Sequence, residues 1–185
     1  MADAQILNGV NVAAVNELVK NVESDPKLGE CRFHIKNTWS TCGQNQSKVS
    51  SFYAAKQEIP HDDPFTLNAD EPSILAGHDT GANPVEHLLH ALAGCLTTTL
   101  VYHAAVRGIK IDALESELEG DLDIRGFLGL SNKVRSGFEN IRVNFKVKTD
   151  AENIEKLKAL SKLSPVFDMT SHGTNVQVNI ERKEC

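Results

Sequence analysis

Nothing in this chain of 185 residues is spaced to hold a metal or a disulfide framework. Its four cysteines, Cys31, Cys42, Cys95 and Cys185, lie far apart, with no C-x-x-C pair and no Cys/His ligand spacing. No cofactor is called for, and in a reducing compartment the thiols stay free. The chain also lacks a Lys/Arg block. A formal charge of −6 spread over both halves argues against nucleic acid or an anionic membrane surface as a partner. The N-terminus MADAQILNGVNVAAVNELVK has neither a basic flank nor an unbroken apolar run, so it does not read as a secretory signal, and a cytoplasmic location is expected. There is no linker, internal repeat or low-complexity tract. No steady βαβ alternation is present to build a parallel sheet. With 41% apolar and 24% charged residues, the composition suits one globular domain.

What is present is a series of changes in hydrophobic period. Val12, Val15, Leu18, Val19 and Val22 recur at helical spacing after Asn11, a candidate N-cap, which predicts a short surface helix over residues 12–22. Cys31, Phe33 and Ile35 alternate with polar residues. "TCGQNQSK" then reads as a turn into a second strand over residues 49–57, and "PFTLNAD" as a short further strand. "DEPSILAGHDTGAN" is a loop ending in a helix-start signal. After a long central helix, Ile109, Ile111, Leu114, Leu118, Leu122 and Ile124 mark a strand region. Its alternate positions Glu115, Glu117, Glu119, Asp121 and Asp123 face one way, as on the solvated side of an antiparallel sheet. "FENIRVNFKVKT" reads as a strand, "AENIEKLKALSKL" as a helix, and "TNVQVNIERK", with Val176, Val178 and Ile180 alternating, as a last strand. The fold class is α+β.

The central segment "NPVEHLLHALAGCLTTTL" carries its own start signals. Asn83 can cap, Pro84 suits the first helical position, and Glu86 stands three residues after the cap, where its carboxylate reaches the cap amide. Gly108 ends the helix. From Pro84 to Arg107 it spans about 36 Å, and it is apolar or small nearly all round. Three histidines, three consecutive threonines and Glu86 speak against a membrane span. A chain of this length cannot cover such a helix by itself, which implies a second subunit. On the helical wheel Leu88, Ala91, Thr99 and Tyr102 fall within about 40° of the Cys95 direction, with Leu92 and Thr98 at about 60°. On local physics alone Cys95 is a small buried hydrophobe. No charge shares its face, and mid-helix it lies beyond the reach of the dipole.

"GHDTGANPVEHLLHALAGCLTTTL", with "DLDIRGFLGLSNKVRSGFENIRV" and "LSPVFD", resembles the osmotically inducible protein C and organic hydroperoxide resistance (OsmC/Ohr) family over roughly residues 29–182. Residues 1–28 then form an N-terminal helical extension and 29–185 an OsmC-like domain. The resemblance implies an intertwined homodimer, with antiparallel sheet strands wrapped around two long helices and sites at the subunit interface. It further implies that Cys95 is a peroxidatic cysteine, attacking a hydroperoxide O–O bond as thiolate and becoming a sulfenic acid. The chain departs from the family at three places. Ser164 stands before Pro165 where the family has its resolving cysteine, and Val85 stands where active members have a glutamate, with Glu86 projecting to the opposite side. The early hairpin turn offers Lys48 but no arginine.

Two functions from different classes follow. In the first, the protein reduces small or lipid-like organic hydroperoxides, with Cys95, Ser164, Glu86 and Lys48 as candidate catalytic residues, Arg32 as another thiolate partner, and an external thiol as reductant. Cys42 is a candidate substitute resolver. In the second, a weakened dimer binds a hydrophobic small molecule or acts structurally in stress. Leu88, Leu92, Thr99, Tyr102, Phe127, Leu128 and Leu130 are the candidate pocket residues in both. The last three sit in a Gly-rich loop, where apolar side chains call for a cover or a ligand.

Overall fold

The computed structural model describes residues 5–183; Cys185 and the first four residues lie outside them. The chain opens with a hairpin absent from the sequence expectation, β1 (Ile6–Leu7) paired with β2 (Val10–Asn11). Asn8 and Gly9 both have positive φ in its turn, as a two-residue Asn-Gly hairpin requires. The Asn8 side chain donates to Ile109 O at 2.9 Å and accepts from Ile111 N at 2.9 Å, which fastens the N-terminus to a segment a hundred residues away. Helix α1 (Val12–Ser24) follows, capped by the Asn11 side chain. Val10 and Val12 pack on Ala105.

The first sheet contains β3 (Arg32–Phe33), β4 (Lys36–Thr41), β5 (Gln44–Ala54) and β6 (Gln57–Ala69), with β5 paired antiparallel to the other three. The expected eight-residue turn shrinks to Cys42 and Gly43, because "QNQSK" forms the start of β5. Polar side chains there bond across the strands: Asn37 Nδ2 donates to Asn45 Oδ1 and Ser47 Oγ at 2.8 Å each, and Gln46 Nε2 to Asn68 Oδ1 at 3.0 Å. The expected strand over 49–57 instead turns at Ala55 and Lys56, both at positive φ, and continues as β6, which absorbs "PFTLNAD". No glycine marks that turn; Lys56 is ion-paired with Asp25.

Helix α2 (Pro84–Val106) starts with the expected capping box. It ends in a Schellman motif, Ile109 N to Ala104 O at 2.9 Å and Gly108 N to Ala105 O at 3.1 Å, with Gly108 at φ 72°. By length and composition it could cross a membrane. Leu92, Leu96, Thr99, Leu100, Ala104 and Ala105 are buried by the rest of the chain, whereas Leu88 and Tyr102 stay exposed, so one chain does not bury the helix all round.

A second sheet pairs β7 (Ala113–Asp121) with β8 (Asn140–Lys148) in antiparallel register along nine residues each. Ile109 and Ile111 lie before β7, outside any strand. The strand stops at Asp121, so Asp123 leaves the acidic row and caps the short helix α3 (Ile124–Phe127). The four remaining acids point outward, and Arg142 on β8 is ion-paired with both Glu119 and Asp121. Helices α4 (Ile154–Leu160) and α5 (Pro165–His172) complete the fold. Leu157 and Leu160 pack with Leu100, Ala104 and Ile109 in the main core, against Leu114, Phe145 and Val147 of the sheet. The expected last strand does not form: residues 173–183 have no regular structure, and Val176, Val178 and Ile180 are exposed with no strand beside them.

Candidate functional site

The start of α2 is clamped by a buried carboxylate whose role the sequence did not suggest. Asp70, wholly inaccessible, accepts from Glu71 N at 2.8 Å, His78 N at 3.3 Å, Thr80 N at 3.1 Å and Thr80 Oγ1 at 2.8 Å. Burial pushes its titration up. The hydrogen bonds from Thr80, Glu71 and Gln44 outweigh burial and hold it down at about 2. The loop folds tightly around this group, since a Cβ on Gly77 would meet Glu71 O at 1.8 Å. Next to it the Glu71 carboxylate accepts from Asn83 Nδ2, so the clamped loop holds the N-cap of α2. An aspartate opening a Gly-rich loop, with a threonine ten residues on, was the available signal.

On α2, Cys95 is half-buried, one residue before the buried Leu96. Its partner comes from the other end of the domain. Ser164 Oγ donates to Cys95 Sγ at 3.2 Å across 69 residues of sequence. Ser164 is wholly inaccessible and is also the N-cap of α5, accepting from Phe167 N at 3.2 Å. Pro165 at the first helical position supplies no amide, so the cap bond goes to the third.

The other candidate residues lie apart from this pair. The Glu86 carboxylate accepts from Asn83 N at 2.8 Å and is occupied as a cap. Lys48 is exposed on β5, opposite Lys36 and Thr66 in register, and no hydrogen bond or ion pair joins it to Cys95. Arg32 lies over the Tyr53 ring at 5.5 Å. Cys42 is exposed at φ 48°, with its thiol donating to Ala76 O at 3.1 Å, and is likewise unlinked to Cys95. Leu92 and Thr99 are buried beside the thiol, while Leu88, Tyr102, Phe127, Leu128 and Leu130 are exposed.

A cavity of about 420 Å³, not anticipated from the sequence, lies between α2, β8, α4 and α5 and is bordered by neither Cys95 nor Ser164. Leu96 and Leu100 of α2, Val143 and Phe145 of β8, Leu157 of α4 and Phe167 of α5 form most of its wall. None of the seven candidate pocket residues borders it. Its edge includes one cation, Lys158.

A family model described as OsmC-like protein matches residues 77–179. None of the curated proteins matches. Several solved structures resemble the chain. One is an OsmC-like protein from Mycoplasma pneumoniae, with a TM-score of 0.59 at 16% identity, covering 76% of this chain and 88% of that one. An OsmC-like protein of unknown function from Vibrio cholerae gives 0.55 at 13%, covering 73% and 90%. A protein from Legionella pneumophila described as an organic hydroperoxide resistance protein gives 0.54 at 15%, covering 76% and 90%. At these identities the likeness establishes the fold.

Proposed function

This chain belongs to the OsmC-like protein family, and from that premise we propose that it reduces organic hydroperoxides as a homodimer, with Cys95 as its one redox-active thiol. The observation that carries the reading is the Cys95–Ser164 pair: a half-buried thiol that accepts a hydrogen bond from a serine hydroxyl and, among the described residues, is bonded to no other cysteine. The Cys95 thiolate attacks the terminal oxygen of ROOH, and the O–O bond breaks. The sulfur is oxidised to a sulfenic acid, and the alkoxide takes up a proton and leaves as ROH. Ser164 cannot close a disulfide. The sulfenic acid therefore condenses with an external thiol, releasing water, and a second external thiol attacks the mixed disulfide to return Cys95.

The dimer supplies what one chain leaves open. The exposed Leu88 and Tyr102 on α2, together with Phe127, Leu128 and Leu130 of the loop after β7, become walls of an interfacial pocket that selects apolar hydroperoxides. In this reading Glu86 remains a cap and Lys48 stays outside the site. Residues 29–185 form the OsmC-like domain, which works in the cytoplasm, and within the extension of residues 1–28 Asn8, Val10 and Val12 brace the C-terminal end of α2. Thiol-dependent consumption of cumene hydroperoxide, compared with hydrogen peroxide, tests the reading. Wild type should prefer the organic substrate and Cys95→Ser should fall to background, whereas equal background rates in both would remove the activity.

A second reading, a dimer that binds a hydrophobic small molecule without turning it over, is favoured by the apolar cavity between α2, β8, α4 and α5. It predicts ligand-dependent thermal stabilisation that survives Cys95→Ser.

A further inference from the structure

We infer that Ser164 is the group that sustains the Cys95 thiolate, its hydroxyl serving where no cation among the described residues is hydrogen-bonded to the sulfur. The inference rests on the peroxidase reading above and assigns the chemistry to the residue that occupies the resolving position.

A serine hydroxyl has one proton, so where that proton points decides what the group does. The Ser164 oxygen is already an acceptor for Phe167 N at 3.2 Å, an arrangement imposed by its place as the N-cap of α5. The hydroxyl proton is then free to point at Cys95 Sγ, 3.2 Å away. Because Ser164 is wholly inaccessible, water does not compete for that proton. A sulfur anion accepts such a bond more strongly than a neutral thiol does, so the contact favours the ionised, nucleophilic form. The α5 amide behind the oxygen polarises the hydroxyl in the same sense. Among the described residues no Lys, Arg or His is hydrogen-bonded to Cys95 from within the chain, which leaves Ser164 as its one hydrogen-bond partner. When the sulfur acquires oxygen, the same hydroxyl can hold the sulfenic acid in place while an external thiol approaches.

The test compares wild type with Ser164→Ala, Ser164→Gly and Ser164→Thr. Two quantities are followed: Cys95 alkylation by iodoacetamide against pH, mapped by mass spectrometry, and consumption of cumene hydroperoxide with dithiothreitol. Glycine caps a helix nearly as well as serine and alanine does not, so the pair separates loss of the cap from loss of the donor. If Ser164 is the donor, Ala and Gly both slow Cys95 about tenfold near neutral pH and move the alkylation curve to higher pH, with the alkaline maximum unchanged. Thr restores the wild-type curve. A purely structural Ser164 lowers the melting temperature of the Ala variant without moving its curve, and that result overturns the inference. Wild type that leaves cumene hydroperoxide untouched, while the Ala and Gly alkylation curves still move to higher pH, removes the peroxidase reading and keeps the donor role. Variants that match wild type in a working peroxidase do the reverse. A Cys95 inert to both reagents removes both.

Discussion

The two sheets of this protein solve the same problem in opposite ways. In β7 and β8 the alternation is complete: Leu114 and Leu118 face the core with Val143, Phe145 and Val147, and Glu115, Glu117, Glu119 and Asp121 face out toward Asn144, Lys146 and Arg142 on the paired strand. One face is half-buried against the core and the other is exposed and charged, as an antiparallel sheet with one solvated side should be. The sheet of β3 to β6 has an apolar face that its own chain does not cover. Phe33 stacks on Phe52 with ring centroids 5.8 Å apart, Phe52 meets His61 at 5.5 Å and His61 meets Phe65 at 4.9 Å. Trp39 and Leu67 continue that face, and Phe33 is 76% and Trp39 69% exposed. An aromatic face of this extent is unstable in water without a cover. The second sheet is therefore finished within the chain, whereas the first is shaped for a surface elsewhere, which the proposed partner chain provides.

Four measurements test this contrast. The largest effect on assembly is expected from Phe65→Asp. It places a charge on the open face at little cost to the single chain, and should weaken the dimer at least tenfold, about 1.4 kcal/mol, by sedimentation across a dilution series. A dimer of unchanged strength would mean that the aromatic face is not its interface. Leu157→Ala, in the core under the finished sheet, should cost about 2–5 kcal/mol in urea unfolding, toward the lower figure because Leu157 already borders a cavity. A loss below about 1 kcal/mol would mean that α4 carries little of the core.

The clamp between the open sheet and α2 should show in acid. The Asp70 carboxyl titrates near 2 in the fold against an ordinary 3.8, so its contribution is complete above pH 3.8 and is lost as pH falls through 2. Asp70→Asn should lower the urea midpoint at neutral pH and flatten its decline between pH 4 and 2. Parallel curves for the two proteins would place the acid-sensitive group elsewhere. The smallest effect is expected on the outer row of β7. Glu117 lies opposite Asn144 and has no ion pair among the described residues, so Glu117→Gln should shift stability by no more than about 0.5 kcal/mol. A larger change would show that the charged face has a function of its own.

Local patterns carried much of the architecture. Asn11, Asn83 and Gly108 mark helix ends because capping is decided by a few adjacent backbone groups. The period-two rows of β7 and β8 are visible because each side chain's face follows from its position alone. The turns at Cys42–Gly43 and Ala55–Lys56 were less legible, since one sits beside a polar run that pairs as strand and the other takes positive φ without glycine. Asp123 looked like the fifth member of an acidic row until the strand ended two residues before it.

The sequence by itself determined the α+β class, the capped central helix, and a cysteine among small and apolar residues at its middle. Tertiary structure decided the rest. It brought Ser164 to Cys95 across 69 residues, buried Asp70 under four hydrogen bonds, and opened a cavity where α2, β8, α4 and α5 meet. The physical reason is range. Helix periods and caps are fixed by neighbours within a turn or two, whereas a hydrogen bond between distant side chains, or a space between four elements, depends on how those elements pack.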